Sequence, residues 1–281
     1  MQVVTLRDPA EFLERAEPLL LSDEARHNLI FGVAGTLRDH PGHYPEHRFW
    51  LVLDDDTVVA AAVRTPPHHL ILACPQYDAA ALAALAGAID EELPGVVGAI
   101  PEVEQFAAAW ESTRGVNSEV RVAQGIYALS ELIPPRAPPG RPRPATAGDR
   151  SLLAAWLSDF VREALGEDEP NEAQHERLIE ARLGRSDAGF VLWEDGESVS
   201  LAGFGGTTPN GTRIGPVYTP PEHRGHGYGS AVTAAVSAER LAEGSRFCFL
   251  YTDLANPTSN RIYMRLGYRR VCDSLDFRFM P

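Results

Sequence analysis

Apolar positions recur at two different periods along this chain, and the switches between them outline its elements. Leu152, Leu153, Trp156, Leu157, Phe160 and Val161 fall three and four residues apart, the spacing of one face of an α-helix. Asp149 ahead of them is an expected N-cap, with the helix running through residue 164. A short strand over 143–147 precedes it, and a second helical pattern covers 172–183. Three strand-like runs follow, over 189–193, 199–205 and 212–219. Asp195-Gly196 and Asn210-Gly211 separate them, and both pairs favour tight hairpin turns. A helix over 227–243, a strand over 246–252, a helix over 257–266 and a strand near 275–279 complete this half.

The first half gives the same order. Strands are expected over 3–6, 49–53, 57–64, 69–74, 96–100 and 120–129. Helices are expected over 9–20, 23–37, 78–93 and 103–114. Strand, two helices, a three-strand meander, helix, strand, helix, strand thus occurs twice, which reads as an internal duplication with one mixed sheet per half. Between the halves, residues 133–144 read IPPRAPPGRPRP. Repeated proline removes donors and fixes φ, so this stretch is expected to be a stiff, extended linker. The expected domains are therefore 1–132 and 145–281, both of the α/β class.

Charge narrows the function. The chain of 281 residues carries 39 acids against 25 Lys+Arg, a formal net charge of −14. The excess sits in the first half, with 20 acids against 9 Arg before residue 141 and 19 against 16 after it. Such a balance argues against nucleic-acid binding, which needs a basic face. Every cation is Arg, so Lys Schiff bases and Gly-Lys phosphate loops are excluded. Cys74, Cys248 and Cys272 are odd in number and lack CxxC spacing, so no disulfide framework or zinc site is expected and a cytoplasmic setting is the default. The first residues show no basic region ahead of an apolar stretch, and the longest apolar run, 79–89, is too short to span a bilayer. No membrane association is expected. His40, His43 and His47 lie in DHPGHYPEH without a regular acidic or Cys ligand set, which reads as a solvated loop rather than a metal site.

The chemistry concentrates in one segment. A strand ending in Val217, Tyr218 and Thr219 leads through Pro220-Pro221-Glu222-His223 into Arg224, Gly225, His226, Gly227, Tyr228, Gly229 and Ser230, where a helix opens. Glycines let backbone turn sharply and approach a ligand. First-turn N–H groups and the helix dipole favour an anion there, and Arg224 adds a full charge with planar donors. A diphosphate fits. The alternatives are a plain Gly-rich turn before a helix, or a dinucleotide loop, which fits less well because the third Gly of GxGxxG would stand at residue 230, a Ser.

This segment resembles the acetyl-CoA loop of the GCN5-related N-acetyltransferase (GNAT) family, Gln/Arg-x-x-Gly-x-Gly/Ala, standing here as Arg224-Gly225-His226-Gly227-Tyr228-Gly229. A second stretch resembles the family's later motif: Asn256 precedes Tyr263 by seven positions on a helix that ends in Gly267 followed by Tyr268. The resemblance covers residues 143–281, and the first half only through its order of elements. It implies tandem GNAT-like folds, acetyl-CoA as co-substrate and a primary amine as acceptor, with no metal. It also implies that strand residues 217–219 pair with the pantetheine arm and that the N–H of Val217 or Thr219 polarises the thioester carbonyl. The loop from Arg224 to Ser230 would hold the pyrophosphate. Asn256 would contact the pantetheine arm, and Ser259 joins it among the coenzyme-binding residues. Tyr263 would protonate the departing thiolate.

Plainer roles stand beside these. Tyr263 also suits a core aromatic, and Asn256 an N-cap ahead of Pro257. Glu163, Glu167, Asp168 and Glu169 read as a solvated helix end or as an attractor for a cationic amine. The strand over 212–219 carries no Asp or Glu, leaving His223, Glu222, Asp253 or a water chain as the general base. In the first half, Pro75-Gln76-Tyr77 leads into Asp78 where the loop should be, with no Gly and no Arg. That half is expected not to bind coenzyme A, because Asp78 would face the phosphates. The tandem layout also resembles mycothiol synthase, which acetylates an amino-sugar conjugate. A non-catalytic acyl-CoA sensor is the rival from another class.

Overall fold

The computed structural model describes residues 1–165 and 171–281. In chain order the first repeat is β1 (Gln2–Leu6), α1 (Pro9–Leu21), α2 (Asn28–Asp39), β2 (Arg48–Asp54), β3 (Thr57–Arg64), β4 (Leu70–Ala73), α3 (Ala79–Ala88), β5 (Gly95–Ala99), α4 (Glu102–Arg114) and β6 (Asn117–Leu129). The second is β7 (Arg141–Pro144), α5 (Arg150–Leu165), α6 (Glu172–Arg182), β8 (Gly189–Asp195), β9 (Glu197–Gly205), β10 (Gly211–Tyr218), α7 (Tyr228–Ala242), β11 (Phe247–Asp253), α8 (Pro257–Arg265) and β12 (Arg269–Met280). The expected order of elements is therefore present twice.

Local chemistry accounts for most boundaries. Asp8, ahead of Pro9, accepts the Ala10 N–H at 2.8 Å and starts α1. Asn171 does the same for α6 through the Gln174 N–H. Asp149 is not the N-cap of α5: a 3₁₀ turn, Ala147–Asp149, opens that helix. Thr146 is its cap, and the Asp149 carboxylate reaches back to the Thr146 N–H at 2.7 Å and binds Arg143 at 2.8 Å. The Arg143 guanidinium and the Thr146 bonds hold that carboxyl well below the usual range. α2 starts five residues later than its periodicity suggests, because Asp23 folds back onto the Arg26 N–H. α3 ends early, because Glu91 turns away to bind Arg64 at 2.6 Å. Asn210-Gly211 makes no two-residue hairpin turn, since β9 ends at Gly205 and residues 206–210 form the connection.

Two compact units emerge: Met1–Ile126 with Val271–Pro281, and Tyr127–Arg270. Residues 271–281, expected in the second domain, pack in the first unit. Ser274 to Arg278 of β12 pair antiparallel with Ala99 to Gly95 of β5. Asp276 there accepts from His69 Nδ1 and Arg121 Nη2, both at 2.5 Å. Conversely, β6 ends in the second unit, beside β11. The last strand of the second repeat thus belongs almost wholly to the first unit, whereas only residues 127–129 of β6 belong to the second. The linker reading over 133–144 is also shortened, because 141–144 pair with 194–191 as β7. Pro142 and Pro144 are tolerated because β7 ends the strand order, where a missing N–H breaks no ladder.

The first unit buries one cluster built on Phe12, Phe49 and Leu51 and another on Trp50, Phe106 and Trp110. In the second unit the strands run β11-β10-β9-β8-β7, with β10 parallel to β11 and antiparallel to β9. One cluster, with Trp156, Leu157, Ile179, Phe190 and Leu201, joins α5 and α6 to the strands. The other joins α7 and α8 to them through Val232, Val236, Leu250, Tyr263 and Tyr268. Each strand therefore places alternate side chains in opposite layers. No helix among the described residues is long and apolar enough to cross a membrane.

Candidate functional site

Strand β10 is the spine of the site. Its ladder with β11 covers Gly211↔Phe247 to Arg213↔Phe249. Against β9 the register shifts between Ile214 and Val217: Ile214 faces Phe204 and Val217 faces Ala202. Two residues of β10, Gly215 and Pro216, thus oppose Gly203 alone, which is a β-bulge. Beyond it, Val217 and Tyr218 keep their pairing with β9. Ser200 of β9 secures this end, bonding the Tyr218 carbonyl at 3.0 Å and Thr219 Oγ1 at 2.8 Å.

The loop then turns through the 3₁₀ segment Pro221–His223 into α7. Gly225 and Gly227 adopt φ of +83° and +88°, the left-handed region that glycine enters without strain. Gly227 is the N-cap and offers no side chain. The first intrahelical bond runs from the Ala231 N–H to the Gly227 carbonyl, so the N–H groups of Tyr228, Gly229 and Ser230 have no partner within the helix. A Cβ at Gly229 would lie 3.2 Å from Thr219 Oγ1, so strand end and helix start approach closely. The Tyr228 hydroxyl donates to Asp195 at the end of β8 at 2.5 Å, which pins the first residue of α7 and raises the Tyr228 pKa. The His226 ring stacks on Tyr228 with centroids 5.7 Å apart.

Arg224 is held on two sides. Its Nε donates to the Thr219 carbonyl at 2.9 Å and its Nη2 to Glu163 at 2.5 Å. The other oxygen of Glu163 accepts from the Tyr218 hydroxyl at 3.0 Å. Burial and this carboxylate push Tyr218 up to about 12. The charge of Arg224 is therefore already met by Glu163, and the first-turn amides of α7 have no partner within the helix. Of the acid cluster read from the sequence, Glu163 has this role, while Glu167, Asp168 and Glu169 lie outside the described residues.

Asn256 caps α8, accepting the Ser259 N–H at 3.1 Å. Its plain structural role is thus present, and the cap holds Ser259 in the first turn. Asn260 bridges the Asp253 and Asn256 carbonyls at 2.8 and 2.7 Å and accepts from the Tyr127 hydroxyl. Tyr263 is buried, edge-on to Tyr268 at 6.0 Å. Its hydroxyl has no hydrogen bond among the described residues, and burial pushes it up to about 12. Among the proposed bases, His223 Nε2 lies 3.8 Å from Glu197, and Asp253 accepts the Ala255 N–H at 2.8 Å. His47 Nε2 lies 3.0 Å from the Arg7 carbonyl. Among the described residues no group of three His, Cys, Asp or Glu is placed to hold a metal ion.

Glu163, Asp195 and Ser200 escape sequence reasoning as partners of the loop. Each lies 18 to 61 positions from the residue it binds, and no local spacing marks it.

The FR47-like protein family model matches residues 195–275, the stretch holding β9 to α8. A mycothiol acetyltransferase of Actinosynnema mirum is 35% identical over 97 residues, covering 34% of this chain and 32% of that protein. The match thus spans about a third of the curated relative's length. Among solved structures, a Drosophila structural-genomics target superposes with a TM-score of 0.74 at 14% identity, covering 99% of this chain and 98% of that one. A GNAT-family acetyltransferase from Colwellia psychrerythraea gives 0.59 at 12% identity, with both chains fully covered. A tandem GNAT protein from the clavulanic acid biosynthesis pathway gives 0.62 at 15% identity over 99% of this chain and 98% of that one. The fold is the tandem GNAT-like fold, mixed sheets flanked by helices.

Proposed function

We propose that this chain is an N-acetyltransferase that moves an acetyl group from acetyl-CoA to a primary amine, working through its second unit. The observation that carries the reading is the uncapped start of α7, reached from the bulged end of β10 through two left-handed glycines. Three first-turn amides and a helix dipole converge there with no side-chain cap from Gly227, which suits a diphosphate. Tyr218 and Thr219 immediately precede that loop, where the pantetheine arm would run.

Acetyl-CoA supplies an acyl group activated as a thioester. The N–H of Val217 or Thr219 donates to the carbonyl oxygen where negative charge develops. The amine attacks directly, so no covalent enzyme intermediate forms. Tyr263 donates a hydrogen bond and then a proton to the sulfur as the C–S bond breaks. The attacking nitrogen sheds the balancing proton. Because burial keeps Tyr263 protonated up to about 12, activity is expected to rise with pH as the acceptor ammonium deprotonates. No alkaline fall should appear below about pH 10. A downturn near neutrality in a pH–rate profile would contradict this role.

The first unit is proposed to leave coenzyme A unbound. At α3, the counterpart of α7, Asp78 accepts the Ala80 and Ala81 N–H groups at 2.9 and 3.1 Å and so occupies the amides a phosphate would use. At α4, the counterpart of α8, the fully buried Glu102 pairs with Arg26 at 2.5 Å. Calorimetry should give one coenzyme A per chain; two equivalent sites would refute the assignment.

The overall test is thiol release from acetyl-CoA across a panel of amines. Turnover with any of them supports the enzyme. Tight coenzyme binding without transfer would make the chain a sensor. An amino-sugar conjugate is the second reading of the acceptor, favoured by the stretch of 35% identity to a mycothiol acetyltransferase.

A further inference from the structure

The bulge in β10 fixes which way residues 217–219 face. Without the extra residue the strand would slip by one, and every side chain and N–H beyond it would change face. A bulge also leaves a carbonyl outside the regular ladder, which needs another donor when it is shielded from water. That donor comes from α6: Arg182 Nη1 donates to the Gly215 carbonyl at 2.9 Å. The guanidinium lies over the Phe190 ring at 5.4 Å from its centroid. It crosses β9 at Gly203, where a Cβ would stand 2.8 Å from Arg182 Nη1 and 2.7 Å from the Gly215 oxygen. Gly203 is the residue that opposes the bulge, so one glycine leaves room for both the arginine and the carbonyl it binds.

We propose that Arg182 is a positioning residue for the thioester end of the coenzyme: by holding the Gly215 carbonyl it locks the β10 bulge and with it the direction of the Val217 and Thr219 amides. The proposal rests on the coenzyme reading above. It separates the two ends of the ligand. The diphosphate is held by α7, on the far side of residues 219–224, and does not depend on the bulge. The pantetheine arm does.

The test compares acetyl-CoA with adenosine 3′-phosphate 5′-diphosphate, which keeps the phosphates and lacks the pantetheine arm. In calorimetry Arg182→Ala should weaken acetyl-CoA by about tenfold and leave the nucleotide within about twofold, the loss expected for one charge-assisted bond. Gly203→Ala reaches the same carbonyl from the other side and should give the same selective loss. It carries the test if Arg182→Ala does not fold. Loss of both ligands alike, or of neither, would overturn the inference while leaving the coenzyme reading standing. Failure of the unaltered protein to bind either ligand would overturn both.

Discussion

Replacing Gly227 by Val is expected to lower the affinity for coenzyme A by at least about 100-fold while the second unit stays folded. Gly227 sits at φ +88°, where a β-branched residue is strained by about 1–2 kcal/mol. Among the described residues no atom beyond its chain neighbours lies within 4 Å of a Cβ built there, so the strain is the main cost to the free protein. The ligand loses more. With the diphosphate placed as proposed, a side chain at the N-cap would stand between the phosphates and the amides of residues 228–230. Hydrogen bonds to charged groups contribute about 1.5–3 kcal/mol each, so losing two exceeds the 2.7 kcal/mol or so that corresponds to 100-fold. Calorimetry with coenzyme A measures the affinity, and a thermal melt measures the strain. Unchanged affinity would place the diphosphate elsewhere.

Tyr263→Phe is expected to lower kcat by about 100-fold or more, with coenzyme affinity within about twofold. The aromatic ring packs in the cluster with Tyr268 and Leu266, and Phe fills the same space. The hydroxyl has no protein partner among the described residues, so its removal strands no buried donor or acceptor. Stability should therefore stay within about 1 kcal/mol. Single-turnover thiol release, with coenzyme binding measured in parallel, separates the outcomes. Equal loss of binding and rate would return Tyr263 to the core.

Much of the fold was legible because periodicity and caps are local. The helices reaching residue 164 and over 172–183 and the meander strands follow from spacing, and the helix read over 9–20 matches α1 to within a residue. The expected site segment is likewise contiguous, and Gly225 and Gly227 in it take left-handed backbone. Features set by partners far along the chain were not legible. Arg224 reads as a free cation in the sequence, yet it faces Glu163, 61 positions away. Asp149 reads as a cap and is instead shared between Thr146 and Arg143. The bulge leaves a trace only in hindsight, as Gly203 opposite Gly215. Membership of β12 in the first unit has no local signal, since its apolar alternation suits either neighbour.

The placement of the final strand has a genetic consequence. Dividing the coding region at the proline-rich segment would yield two fragments, each carrying a piece that belongs to the other and lacking one of its own. The upstream product would expose the flank of β5 as a sticky edge, inviting aggregation. Residues 271–281 thus complete the sheet of the first unit, and the first repeat cut off at the proline-rich segment is not a separable module.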